Sequence, residues 1–208
     1  MLTSHGVRRR PVQKRSIERV ERILDACAGL LDEVGFDSLT TSEVARRAGV
    51  PSGTVYQFFD GKPGMMRELA MRNLELLIER LRRRAAGEAM LTWPRAAEIV
   101  IEETIEMRRT VPGFTVVDFA DTRPGGPSFL PDGETEEGGD VLADRLYAFA
   151  VEEAGLPPLP DPHRVMRLAI EATSVALALA FRAARQGDPA MIDQGRRLLR
   201  AYFADVSR

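Results

Sequence analysis

Side chains equipped for covalent or metal chemistry are few and scattered in this chain. Cys27 is the only cysteine among 208 residues, and His5 and His163 are the only histidines. Hydrolysis or metal chemistry needs a nucleophile, a base or several ligands gathered in one place. A single cysteine permits neither an intramolecular disulfide nor a cysteine cluster within the chain. Gly125-Gly126 and Gly138-Gly139 sit among prolines and acids and do not make a phosphate-cradling loop. No catalysis, no metal and no cofactor are therefore expected. Hydrogen-bonding side chains are instead concentrated between Thr40 and Lys62, where Thr41, Ser52, Thr54, Tyr56 and Gln57 are interleaved with apolar and small residues. Neutral donors and acceptors of this kind suit base edges and phosphate oxygens in duplex DNA.

The elements around them are densely signalled. Thr40-Thr41-Ser42-Glu43 has the spacing of a capping box, in which Thr40 accepts from a backbone N–H and Glu43 reaches back. A helix of about eight residues should follow, with Val44, Ala45 and Ala48 inward and Gly49 taking the left-handed turn that ends it. After Val50-Pro51, a second short helix is expected from about Ser52 to Phe59. Its anchors would be Val55 and Phe59, and its outward face Ser52, Gly53, Thr54 and Gln57. Two short helices joined by a tight glycine turn can cross steeply, so that the second lies in a major groove. Upstream, Ile17, Val20, Leu24, Cys27, Leu31 and Val34 repeat at three and four over a helix at about 13–34, which Gly35 should stop. That spacing gives Cys27 a packing role. Downstream, Asp60 to Gly64 break the chain before a longer helix over about 65–86.

Charge is distributed unevenly. Residues 1–84 carry 16 Lys and Arg against 11 Asp and Glu, whereas residues 85–208 carry 13 against 20. A basic DNA-reading head on an acidic body would show this asymmetry. Unevenly charged solvated faces would show it too, so the decision falls to the motifs. Residues 1–12, with Arg8-Arg9-Arg10, read as a flexible basic arm. Further helices are expected at about 93–109, 140–155, 162–186 and 188–206, with a weaker candidate at 112–121. Residues 122–139, rich in Pro, Gly and acids, read as a long mobile loop. No strand pattern and no repeat is visible. No segment reaches the ~18 apolar residues of a membrane span, and the basic N-terminus lacks the apolar run of a signal peptide. A cytoplasmic protein with no membrane partner is expected.

With these residues in place, the stretch from Arg22 to Leu69 resembles the TetR family of bacterial repressors. The resemblance rests on Ile23-Leu24-Asp25-Ala26, Gly35-Phe36, Leu39-Thr40-Thr41, Val44-Ala45, Ala48-Gly49-Val50, Gly53-Thr54-Val55-Tyr56, Phe59 and Lys62. It implies an all-α homodimer of about nine helices, with a helix-turn-helix head at 13–62 and an effector-binding, dimerising body at 63–208. It also implies that Tyr56 and Lys62 touch phosphate and that Thr41 stands at the amino end of the second helix, facing phosphate as well. Ser52, Thr54 and Gln57 become candidates for base edges, and Gly53 lets the backbone approach closely. Two positions depart from the family pattern. Pro51 stands where a capping Ser is common, which leaves Ser52 to cap. Pro63-Gly64 interrupts the start of the fourth helix, which is then expected to begin later.

The body is read from pattern alone. Ala172 to Phe181 is apolar nearly all round and rich in small residues, and the last helix has Ile192, Gly195, Leu198, Leu199, Tyr202 and Phe203 on one stripe. Ala172, Ala176, Ala180, Leu198, Leu199 and Tyr202 are candidates for a homodimer interface. Trp93, Met107, Phe114, Val117, Phe119, Tyr147, Phe149, Met166 and Phe181 are candidates for lining an effector pocket, or for plain core. Their apolar, aromatic character points to a lipophilic effector. Phe129 and Leu130 of the long loop could cover such a pocket, and Arg108-Arg109 could meet an anionic group or simply end a solvated helix. The expected function is a DNA-binding transcriptional regulator on a roughly palindromic operator, a repressor released by a small lipophilic molecule. The alternative is a DNA-binding regulator without an effector, controlled by a protein partner.

Overall fold

The computed structural model describes residues 14–114, 138–182 and 186–208. The basic arm at 1–12, most of the loop at 122–139, Phe129, Leu130, and the pocket candidates Val117 and Phe119 lie outside these residues. Among the described residues eight α-helices follow one another: α1 (Lys14–Ser38), α2 (Thr41–Ala48), α3 (Ser52–Phe58), α4 (Gly61–Ala85), α5 (Trp93–Thr110), α6 (Gly138–Ala148), α7 (Pro162–Ala180) and α8 (Pro189–Val206). A π-helical turn, Phe149–Glu153, continues α6. The described residues contain no strand.

Two compact units share these helices, and the division falls inside α4, between Asn73 and Leu74. The N-terminal unit, called the head here, holds 14–73 and also 111–114. Its limit lies beyond the 62/63 boundary drawn from sequence because the first turns of α4 belong to it. Arg72 binds α1, donating to Glu21 at 3.2 Å and to Asp25 at 2.7 Å.

Within the head, α1 packs on α2 and α2 on α3. The core gathers Ile23, Leu31, Val44, Val55, Phe59, Met65, Met66 and Leu69, each buried to within 1% or less. Cys27 is wholly enclosed, and that burial pushes its thiol up to about 12, although Arg72 and Lys62 pull the other way. A thiol so far from ionising is inert packing. The stripe expected on α1 is shorter than the sequence implied, since Ile17 is 48% exposed and Val34 46%. The helix buries Ile23, Ala26 and Leu30 in their place. Gly35 interrupts the helical path at φ 73°, ψ 174°, but the chain regains helical geometry up to Ser38.

The start of α4 also corrects the sequence reading. Gly61, at φ 63°, turns the chain into the helix, and the Gly64 N–H donates to the Asp60 carbonyl at 3.2 Å. Pro63 falls in the first turn, where backbone N–H groups have no helical acceptor, so its missing donor costs nothing. Pro63-Gly64 therefore does not delay α4.

The second unit, called the body here, holds 74–110, 138–182 and 186–208. In it α8 packs on both α5 and α7, and α6 on α7. Gly195 sets the α7–α8 approach: a Cβ there would lie 3.0 Å from that of Ala176. Asp188 caps α8, its carboxylate accepting from the Ala190 N–H at 2.9 Å, and Pro189 opens the helix. Helix α7 ends at Ala180, earlier than the period implied. Glu103 of α5 is buried yet paired, accepting from Arg84 at 3.2 Å and lying 3.7 Å from Arg80. Arg84 also binds Glu102, so arginines of α4 are fastened to acids of α5.

Candidate nucleic-acid interface

Helices α2 and α3 are shaped by their ends. The Thr40 hydroxyl accepts from the Glu43 N–H at 3.2 Å, which satisfies one of the amides that begin α2. Glu43 does not reach back as a capping box requires. Its carboxylate turns to Arg46, which donates to it at 3.0 and 2.5 Å, because a charge-assisted pair one turn along outweighs a neutral backbone donor. Gly49 sits in the left-handed region at φ 65°, ψ 40°, and the Val50 N–H reaches the Ala45 carbonyl at 3.0 Å. Pro51 occupies the cap position of α3 with no side-chain hydrogen bond, and Ser52 is already the first helical residue. Ser52 is thus not the cap, and its hydroxyl is exposed.

The outward face of α3 is smaller than the sequence implied. Ser52, Gly53, Tyr56 and Gln57 are exposed, whereas Thr54 is 7% exposed and packs inward with Val55 and Phe58. In a helix of seven residues, positions 54, 55 and 58 share one face, so Thr54 is corrected from base reader to anchor. Phe58 joins Phe59 as a buried anchor that the sequence reading did not single out. No charged residue occurs in α3.

Two of the three phosphate candidates meet beside this face. The Thr41 and Tyr56 hydroxyls lie 2.8 Å apart, one donating to the other, so the start of α2 and the middle of α3 present one polar pair. Tyr56 keeps 51% of its surface exposed. Lys62 is half-buried, with its Nζ 4.0 Å above the Phe36 ring and 3.5 Å from the Asp37 carbonyl. Of the two arginines on α2, Arg46 is tied to Glu43 and Arg47 to Glu33 at 2.6 Å. These hydrogen bonds hold both carboxyls below the usual carboxylate range.

The body contains a separate feature, a cavity of about 640 Å³ that includes space open to solvent. Of the candidates named from sequence, Trp93, Phe149 and Met166 line it. Tyr147 is not in its wall but stacks on Trp93, at 6.0 Å between centroids. Met107 is fully buried elsewhere in the body, and Phe181 lies at the end of α7 with Arg108 5.8 Å from its ring centroid. Phe114 belongs to the head, where the adjoining Gly113 donates its N–H to Asp32 of α1 at 3.0 Å. Much of the wall is alanine: Ala85, Ala96, Ala97, Ala150 and Ala154. Large apolar residues do not mark these positions in the sequence, because a cavity is made by side chains that stop short.

Two family descriptions match the chain. One, for bacterial regulatory proteins of the tetR family, matches residues 23–69; the other, for the C-terminal domain of tetracyclin repressor-like proteins, matches residues 91–206, more than half of the chain. The chain belongs to the TetR family. A member of this family of regulators is not an enzyme. A solved TetR-family regulator from Streptomyces coelicolor is 40% identical, with a TM-score of 0.76, over 90% of this chain and 99% of that one. The FadR regulator of Bacillus subtilis, solved in complex with stearoyl-CoA, shares the fold at 17% identity and a TM-score of 0.58, over 88% of this chain and 98% of that one. The nucleoid occlusion factor SlmA of Actinobacillus pleuropneumoniae is 30% identical over 138 residues, which are 65% of this chain and 61% of that protein. The chain thus spans less than two thirds of the length of this curated relative.

The TetR-family body also presents an apolar surface. Leu168, Val175 and Leu179 of α7 are 56%, 59% and 40% exposed, and Leu198 of α8 is 55% exposed. Among the dimer candidates from sequence, Leu198 is on this surface and Ala172 and Tyr202 are half-buried. Ala180 and Leu199 are buried in the chain's own core, and Ala176 faces Gly195 of the same chain. Ala180 and Leu199 are corrected to internal packing, and Ala176 stays half-buried like Ala172. The exposed residues 168, 175 and 179 keep helical spacing. Among the described residues, no helix is long and apolar enough to cross a membrane, and no acidic, His or Cys cluster could hold a metal.

Proposed function

We propose that this TetR-family chain is a homodimeric DNA-binding transcriptional repressor, released from a roughly palindromic operator by a small lipophilic molecule. The observation that carries the reading is the polar face made by exposed Ser52, Gly53 and Gln57 beside the joined hydroxyls of Thr41 and Tyr56. Neutral hydroxyls at the flank suit phosphate contacts, which fix register without reading sequence. Lys62 supplies the charge. Gln57 pairs with adenine, and Ser52 reaches either base of a pair. Gly53 leaves room for the backbone to come close.

The exposed leucines and valine of α7 and α8 support pairing of two copies, which doubles the operator contacts. The body cavity supports an effector, and the stearoyl-CoA bound by the related FadR fold is an example of a lipophilic occupant. Release requires that the effector bind a non-operator state better than the operator state, not merely that it bind tightly. The likeness to a nucleoid occlusion factor hints only faintly at a second reading, a DNA-binding regulator without a small-molecule effector, controlled by a protein partner. It leaves the cavity without a role.

Genomic binding-site selection with the purified protein tests the reading and yields the operator. On that duplex, Gln57→Ala should lose about 1–3 kcal/mol of discrimination at one base pair. Tyr56→Phe should weaken specific and random DNA equally. No enriched sequence after selection would refute DNA reading, and equal losses on both DNAs for Gln57→Ala would remove it from the base contacts.

A further inference from the structure

We infer that the body cavity takes an uncharged aliphatic ligand and rejects the corresponding carboxylate, an inference that rests on the effector reading above. No described lining residue is charged. Two lining side chains carry polar atoms, and both donors are spent within the protein. The Thr173 hydroxyl donates to the Ala169 carbonyl at 2.7 Å, and the Trp93 indole N–H donates to the Pro157 carbonyl at 2.8 Å. Among the described residues, an anion placed against this wall finds no lining side-chain donor to replace the water it leaves, and an unpaired buried charge is among the most costly arrangements in a protein. The arginines adjoining the wall in sequence do not offset this. Arg80 lies 3.7 Å from Glu103, Arg82 is held by Glu79 and Glu153, Arg84 by Glu102 and Glu103, Arg95 by Glu88, Glu98 and Glu102, Arg145 by Glu75, and Arg167 by Glu171.

The aromatic part of the wall is also engaged. Trp93 stacks with Tyr147 and with Phe203, the latter at 5.7 Å and 8°, and Phe203 meets Tyr202 edge-on. A flat aromatic ligand would have to compete with these partners, whereas an alkyl chain needs only the methyl-lined space left by the alanines. The π turn forms part of that wall. Its Ala154 N–H reaches back five residues to the Phe149 carbonyl at 2.9 Å, and both residues line the cavity.

Trp93 is the only tryptophan, so its emission reports on the cavity directly. Full-length protein is titrated at pH 8 with methyl esters of C6 to C16 fatty acids, with the matching carboxylates and with naphthalene. At least one ester should shift the Trp93 emission and bind about 100-fold or more tightly than its carboxylate. Ala150→Leu, which fills the wall, should weaken that ester at least about tenfold while circular dichroism stays native. If that variant misfolds, the ester–carboxylate comparison on the unaltered protein still decides. Carboxylates binding as well as esters, naphthalene binding as well as the best ester, or no response to any ester would each overturn the inference. Release of the selected operator duplex is read separately. An ester that binds without releasing DNA defeats the effector reading and leaves the ligand class standing. Release by carboxylates alone keeps the effector reading and defeats the ligand class.

Discussion

The head and the body carry their information in opposite forms. In the head, the candidate interface is made of residues that are present and point outward: a capping Thr40, a left-handed Gly49, a joined Thr41–Tyr56 pair and an exposed Gln57. In the body, the candidate site is made by what is absent, with alanines leaving room and donors turned away from it. A surface that reads a regular polymer is specified by local signals, whereas a cavity is specified by distant side chains that fail to meet.

That contrast can be broken most forcibly at Phe59, which is fully buried in the head. Phe59→Ala should cost about 3–5 kcal/mol in chemical denaturation followed by circular dichroism. Emission from Trp93, in the other unit, should keep its native value until higher denaturant. Coincident loss of both signals would show that the two units stand or fall together. Next in size is Gly195→Ala in the body. The added methyl meets Ala176 at 3.0 Å, and overpacking of this kind costs about 1–3 kcal/mol. Thermal melting would reveal it, and an unchanged midpoint would mean that α7 and α8 part freely.

What the sequence revealed follows the same contrast. The order Thr40, Gly49, Val55, Phe59 located α2 and α3 to within a residue, because caps and glycine turns act over four or five positions. Thr54 was misread, since its polarity hid the fact that it shares a face with Val55 and Phe58. The late start assigned to α4 overlooked that Pro63 falls where no donor is needed. In the body, Trp93, Phe149 and Met166 were legible as large apolar residues, but Ala85, Ala97 and Ala154 were not. An alanine on a helix looks the same whether a neighbour fills its space or not. Ala180 and Leu199 were assigned to a partner because a helix apolar all round does not say which side meets its own chain.

Smaller tests sharpen the head's side of the comparison. Thr40→Ala removes the cap of α2 and should cost about 1 kcal/mol, visible as a lower midpoint. Smallest is the response to acid. Glu33 and Glu43 titrate below their ordinary value of 4.5 because Arg47 and Arg46 donate to them. Their stabilisation is complete above that value and fades as pH falls through the lowered ones. The head should therefore show a slight decline in melting temperature on acidification below about pH 4.5, reduced in Arg47→Ala. An identical decline in that variant would exclude the Glu33 pair as a source.

The π turn at Phe149–Glu153 bears on how this protein tolerates changes in length. Five residues there span what an α-helix would close with one fewer. Deleting a single residue from 149–153 would let the segment relax to ordinary helix, so the fold would absorb the loss. Ala154 would then stand four residues after Phe149 and donate to the same carbonyl as an ordinary helix does, whereas loss of Ala150 itself would take a lining residue out of the wall. A relative shorter by one residue at this point would keep the architecture and inherit a different cavity.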